Sequence, residues 1–247
     1  MKLFIAKNKK NGDKYAFHVI KKQVLNKPTS LIGFAVGKTT DGLYKLISKD
    51  AMKSPKKWSK LKIFQIDETL GLKPSSTISF NYEIRRELKG LIKIVYINNL
   101  AKNIFLIDGT KNPKTTIKEG YKFIKKNDGI DLIILGLGPE YDPHIAYNTT
   151  GKSSLNSKMR IVRLHQRITK KFIGVFGQTS QPTHGITLGI KDILNAKKVL
   201  LIAYGKDKAK SVKLALSGKV NMKRASASAL MLHKNLHVVI DKDASTT

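Results

Sequence analysis

With 247 residues, 41% of them hydrophobic, the chain can bury one large core, so a single domain over residues 1–247 is expected. It has no cysteine, which excludes disulfides, thiolate metal sites and a cysteine nucleophile; the apolar run at the N-terminus is too short for a signal-peptide core, no stretch reaches the roughly 18 apolar residues of a membrane span, and a cytoplasmic location is expected. Lys+Arg number 47 against 17 Asp+Glu, a net charge of +30 that draws polyanions, but arginine occurs only at 85, 86, 160, 163, 167 and 224 and the lysines run from Lys2 to Lys242 without a separate tail, so weak non-specific polyanion binding is expected and specific nucleic-acid recognition is not.

Residues 2–6 read as a strand and 13–25 as a helix. Residues 29–36 form a nearly unbroken apolar strand stopped by Gly37, and 41–47 open a helix with Asp41 as N-cap. Residues 53–59 read as a basic loop around Pro55, and 62–66 as a short strand ending at Asp67-Glu68. A helix over 75–88, a strand over 92–97 and a helix over 115–126 capped by Thr115 or Thr116 follow. Residues 131–137 (DLIILGL) have the continuous apolar pattern of a central parallel strand. Then come a strand (159–164), a helix (186–196), a central strand (199–203), helices over 206–216 and 226–232, and a last strand at 237–240. This alternation predicts an α/β fold: three layers, Rossmann-like, with a mostly parallel central sheet and helices on both faces.

Ligands of such sheets sit beyond the carboxyl ends of the strands. Gly37-Lys38-Thr39-Thr40 links a strand to a helix there. Its glycine permits a tight turn, and its N–H groups and hydroxyls suit an anion; the alternative is a capped loop without a ligand. A nucleotide P-loop is excluded, because three residues rather than four separate Gly33 and Gly37. Asp67-Glu68 is a candidate general base with an acidic neighbour, or else a capping pair. Asp142-Pro143-His144 places a histidine near a carboxylate, an arrangement that moves protons at neutral pH but is also common in purely structural roles. No spacing typical of a zinc site occurs. Gly205-Lys206-Asp207-Lys208 puts lysines where one could clamp a phosphate, or simply be solvated.

In order and spacing these segments resemble one family over residues 29–243. His184-Gly-Ile-Thr-Leu-Gly-Ile-Lys-Asp-Ile-Leu194, Gly205-Lys-Asp-Lys-Ala209, Ala227-Ser-Ala-Leu-Met-Leu-His233, Gly129-Ile-Asp-Leu-Ile-Ile-Leu-Gly-Leu-Gly138 and His144-Ile-Ala-Tyr-Asn148 are similar to signatures of the glucosamine-6-phosphate deaminases, a group allied to the 6-phosphogluconolactonases. The resemblance implies a sugar-phosphate substrate and no cofactor or metal. Gly37, Lys38, Thr39, Thr40, Lys171 and Lys208 would hold the phosphate, with Lys171 standing for an arginine. Asp67 would carry a proton from C2 to C1, and His144, with Asp142 alongside, would help open the sugar ring. Ammonia and fructose 6-phosphate would leave.

The sequence departs from the family pattern at Thr69 after Asp67-Glu68, at Lys38 and Thr40 in the phosphate turn, and around the histidine. Pro143 replaces a glycine, the loop from Gly138 to His144 is longer, and the acid that normally follows Asn148 and supports the histidine is Thr149. The histidine is therefore expected to lack a partner that sets its orientation and tautomer. A lactonase or another sugar-phosphate isomerase, and a non-catalytic sugar-phosphate-binding or nucleic-acid-associated protein of the same fold, stay open as alternatives.

Overall fold

The computed structural model describes residues 1–98, 100–177 and 181–245, except the side chain of Lys171. Among these residues ten strands form: β1 (Lys2–Ala6), β2 (Leu31–Phe34), β3 (Lys62–Gln65), β4 (Asp67–Thr69), β5 (Ile104–Phe105), β6 (Leu132–Gly136), β7 (Arg160–Arg163), β8 (His184–Thr187), β9 (Val199–Ala203) and β10 (Leu236–Asp241). Seven make one sheet in the order β1-β10-β9-β6-β2-β3-β5, and every pairing in it is parallel.

Alternate residues along the strands feed two cores, as the period of two requires. Leu31, Ile133, Leu135, Leu201 and Val238 pack under the helices Pro113–Lys126, Ile190–Leu194 and Ala209–Ala215. Ile32, Phe34, Leu132, Ile134, Leu200 and Val239 pack under the helices Lys9–Asn26, Asp41–Lys53, Phe80–Glu87 and Lys89–Ile97. From β2 the chain moves outward to β3 and β5, then returns to β6 on the other side of β2 and continues to β9 and β10. The strand order therefore reverses between β2 and β6, and a crevice opens at their carboxyl ends.

Three sequence expectations fail. Residues 92–97 are not a strand; they belong to the helix Lys89–Ile97. Their β-branched composition mimics a strand, but the fully buried side chains are Leu88, Leu91 and Val95, a helical spacing. This helix crosses Asp41–Lys53 so closely that a Cβ on Gly90 would lie 2.6 Å from the Ser48 carbonyl oxygen. The basic loop at 53–59 contains a one-turn helix, Pro55–Trp58, started by proline and anchored by buried Trp58, whose ring N–H donates to Asp50 at 2.9 Å. Residues 184–187, assigned in part to a helix, are β8, the centre of a second, antiparallel sheet β4-β8-β7.

Helix starts differ too. Asn8 caps Lys9–Asn26 and Asn112 caps Pro113–Lys126 through their side chains, and Ser79 caps Phe80–Glu87. Thr40 rather than Asp41 holds the N-cap position of Asp41–Lys53.

Candidate active site

The four central strands β9, β6, β2 and β3 are neighbours and run the same way, so the segments that follow them meet at one edge. After β2, Gly37 adopts φ +144°, a left-handed value, with nothing within 4 Å of where a Cβ would sit; its backbone angle, not lack of space, calls for glycine there. The Thr40 N–H and hydroxyl both donate to the Gly37 carbonyl, at 3.0 and 3.1 Å. Thr40 thus closes the turn from inside, while Lys38 is exposed and Thr39 half-buried. The Lys9 ammonium braces the turn from the preceding helix: it donates to the Thr39 carbonyl at 3.1 Å and pairs with Asp13 at 2.8 Å and Asp41 at 3.0 Å. Only the Lys9–Asp13 half of this clamp has a sequence spacing, i to i+4, that could have revealed it.

After β3, the chain leaves the large sheet at Ile66 and enters the small one, where Asp67 opposes Thr187. Both carboxylates of Asp67-Glu68 are buried, but they do different things. Glu68 accepts the N–H groups of Thr69 (2.8 Å), Phe80 (3.1 Å) and Asn81 (2.7 Å) and the Gln65 amide (3.0 Å), which ties the start of the helix Phe80–Glu87 to β4. Burial outweighs these donors and raises its pKa. Replacing Glu68 by alanine strands the N–H groups of Thr69, Phe80 and Asn81, while the Gln65 amide keeps the Asp67 carbonyl at 2.8 Å, and a loss of about 3 kcal/mol is expected. For a chain of this size that is a fall in Tm of about 10 °C, measurable by scanning calorimetry.

Among the described residues Asp67 has no such framework of donors. Burial first, then the carboxylates of Glu68 and Glu83, push its pKa well above the usual value. That is the state of a carboxyl poised to exchange protons rather than to hold a permanent charge. Glu83 escaped sequence reasoning; its carboxylate faces the Gly37 N–H, and burial raises its pKa as well. Tyr147 lies over this group. Its hydroxyl bonds the Thr69 hydroxyl at 3.0 Å, and burial, followed by the Asp67 charge, raises its own pKa.

After β6, the longer loop folds back on itself. The Gly138 N–H donates to the His144 carbonyl at 2.8 Å, and the Asp142 N–H to the Pro139 carbonyl at 2.9 Å. A Cβ on Gly138 would meet the Asp142 carbonyl oxygen at 2.3 Å and His144 Nδ1 at 2.7 Å, so glycine is required for this closure. His144 Nδ1 lies 2.9 Å from Asp142 Oδ2, and Asp142 Oδ1 accepts the Thr150 N–H at 2.8 Å. Burial opposes ionisation of Asp142, but the histidine and Thr150 outweigh it and hold its pKa below the usual value.

The expectation that His144 lacks an orienting partner is thus corrected. Without an acid at Thr149, Asp142 itself takes the Nδ1 position, because the Pro143 turn brings residues 142 and 144 side by side. An ionised Asp142 selects the tautomer with the proton on Nδ1 and leaves Nε2 to exchange protons.

Tyr147, three residues on, ties this loop to β8 opposite Asp67: its N–H donates to the Thr187 hydroxyl at 3.0 Å. Asn148 locks the loop further, donating to the Ile145 and Leu188 carbonyls at 3.0 and 2.9 Å and accepting from Arg160 at 3.0 Å. These bonds hold Ala146 at φ +50° between them, a costly angle for a residue with a Cβ. A cavity of about 220 Å³ opens beside Tyr147 and Thr149, with Arg160 and Arg163 in its wall. After β9, Gly205 at φ +92° donates to Asp241 at 2.9 Å, and Lys208, largely buried, stands at the start of the helix Ala209–Ala215 with its ammonium 4.0 Å from Asp207. The side chain of Lys171 lies outside the described residues.

The model of the glucosamine-6-phosphate isomerases/6-phosphogluconolactonase family matches residues 10–239. The chain belongs to this family. It is 33% identical over 248 residues to a glucosamine-6-phosphate deaminase of Clostridium botulinum, covering 100% of this chain and 98% of that one. It is 30% identical to the glucosamine-6-phosphate deaminase of a Thermoanaerobacter species, covering 100% and 94%. Among solved structures, a monomeric glucosamine-6-phosphate deaminase has the same fold, with TM-score 0.86 at 23% identity and 99% of each chain covered. The 6-phosphogluconolactonase of Trypanosoma brucei follows the same path at TM-score 0.75 and 15% identity, covering 99% and 97%.

In this member of the glucosamine-6-phosphate isomerase/6-phosphogluconolactonase family the C-terminal signature acts as support. The Ser226 hydroxyl bonds the Asn148 carbonyl, and the Ala227 N–H donates to the Pro143 carbonyl at 3.0 Å, which seats the His144 loop from below. His233, buried, bonds the Ala196 carbonyl at 2.7 Å through Nε2, a structural contact.

Proposed function

We propose that the chain converts glucosamine 6-phosphate and water to fructose 6-phosphate and ammonia. The observation that carries this reading is the pairing, at one sheet edge, of a buried Asp67 with raised pKa and an Asp142–His144 couple, beside an anion-suited turn and a lysine. The full-length likeness to deaminases at 33% identity supports it.

In this reading the sugar phosphate lies against the Gly37–Thr40 turn and Lys208. His144 Nε2 takes the O1 proton and returns it to the ring oxygen, which opens the ring. Asp67, ionised, removes the proton at C2 of the open amino aldehyde and delivers it to C1. As the C2 proton moves to C1, the C2 ammonium gives one of its protons to O1 and becomes an iminium. Water adds at C2 and passes one proton to the nitrogen; the new hydroxyl gives up the other as the C–N bond breaks, and the nitrogen leaves as ammonium, so atoms and charge balance. Glu68 plays no part in the chemistry because its lone pairs are already taken.

The direct test is ammonia release from glucosamine 6-phosphate, with hydrolysis of 6-phosphogluconolactone measured in parallel. Ammonia at catalytic rates supports the reading. Lactone hydrolysis alone, or sugar-phosphate binding without turnover, sinks it. Lys208→Ala is expected to raise KM about 10- to 100-fold with a smaller effect on kcat, the loss of one charge-assisted contact to phosphate; an unchanged KM would remove Lys208 from the site.

A further inference from the structure

A cavity of about 830 Å³, the larger of the two described here, shares no residue with the candidate active site. It is a groove between the helix Asp41–Lys53 and the consecutive helices Phe80–Glu87 and Lys89–Ile97, closed below where Gly90 touches the Ser48 backbone. Lys45 and Lys49 stand one turn apart on one wall; Arg86, Lys89 and Lys93 stand on the other. Five of its nine lining residues are cations, against 47 of 247 in the whole chain, so the groove is richer in positive charge than the lysine-rich surface around it. Its one carboxylate, Glu87, is taken by Arg86 at 2.9 Å. Lys45, Lys49, Lys89 and Lys93 form no ion pair among the described residues.

Four ammonium groups without an ion-paired carboxylate around one concavity repel one another and favour a ligand with several negative charges. Half-exposed Met52 and the lysine stems add a soft apolar surface suited to a flat ring. The volume lies within the range of small-molecule sites, roughly 300–1,000 Å³.

We propose that this groove binds a nucleoside polyphosphate, its phosphates between the two lysine-bearing walls and its base against Met52. A sugar monophosphate would answer neither the charge nor the apolar surface. The proposal does not rest on the deaminase reading.

It is tested by titrating ATP, with and without magnesium, into the full chain by calorimetry at about 0.15 M salt, where bulk electrostatic attraction is screened. Two double variants of equal charge are compared: Lys49→Glu with Lys93→Glu in the groove, and Lys118→Glu with Lys122→Glu on the exposed face of Pro113–Lys126. Saturable binding that the groove variant weakens at least about tenfold, and the control variant leaves alone, is the expected result. No saturable binding at millimolar ATP overturns the proposal. So does equal weakening in both variants, inorganic triphosphate binding as tightly as ATP, or a groove-dependent preference for an RNA oligonucleotide. Should the charge reversal unfold the chain, Lys45→Ala with Lys89→Ala carries the same comparison.

Discussion

Asp67→Asn is expected to lower kcat for ammonia release by about 10²- to 10⁴-fold, the range of a lost general base, with sugar-phosphate binding kept. The amide has the same shape but takes up no proton. Because the Asp67 pKa is raised by burial and by Glu68 and Glu83, the acid limb of kcat/KM in the parent enzyme should lie above the ordinary carboxylate range. Activity should rise as pH climbs through that raised value. The sign for stability is opposite. A carboxyl whose folded pKa is raised favours the folded state only while it is protonated, so stability falls as pH rises from the ordinary value of 3.8 through the raised one. Asp67→Asn removes that loss, and the variant should be at least as stable as the parent at neutral pH by calorimetry. A variant that is inactive and also less stable at neutral pH would point to a structural Asp67 and against its role as base.

The second large effect is expected at Gly138. Alanine there places a Cβ 2.3 Å from the Asp142 carbonyl oxygen and 2.7 Å from His144 Nδ1, so the loop must open and the Asp142–His144 couple must separate. A fall in kcat of about 10²-fold is expected from a misplaced catalytic group, with the fold kept, because the clash falls within the loop while Leu137 and Ile145 at its two ends stay anchored in the core. Asp142→Asn is the companion measurement. It leaves the loop shape but offers His144 an amide, which no longer selects the Nδ1 proton, and kcat should fall without a matching change in KM. The Asp142 pKa is depressed, so the couple's contribution is present above the ordinary value of 3.8 and is lost as pH falls through the depressed one. Ring opening is the step expected to slow, and a substrate held in the open-chain form should recover rate in both variants. No recovery would place the couple elsewhere in the reaction.

Much of the architecture was legible because it rests on local patterns. The DLIILGL run, the apolar stretch before Gly37 and the VLLIA run mark β6, β2 and β9 directly, since a strand buried on both faces has to be apolar throughout. His144 and Lys208 were findable because they follow such strands, and Asp67 because it follows the short strand β3. The helix Lys89–Ile97 was not read correctly, although Leu88, Leu91, Ile92 and Val95 carry helical spacing. β5 has two residues, too few for any period. The small antiparallel sheet was missed because β4 and β8 pair across more than a hundred residues.

The sequence by itself determined the parallel sheet, the phosphate-suited turn and which acids and which histidine stand at its rim. Only the tertiary structure decided what each of them does. It divided Asp67 from Glu68 by giving one four donors and the other none of that framework, made Asp142 the partner that Thr149 could not be, and set Lys9 against Asp41. In each case the deciding quantity is burial together with a donor from a distant segment, and neither exists until the chain has packed.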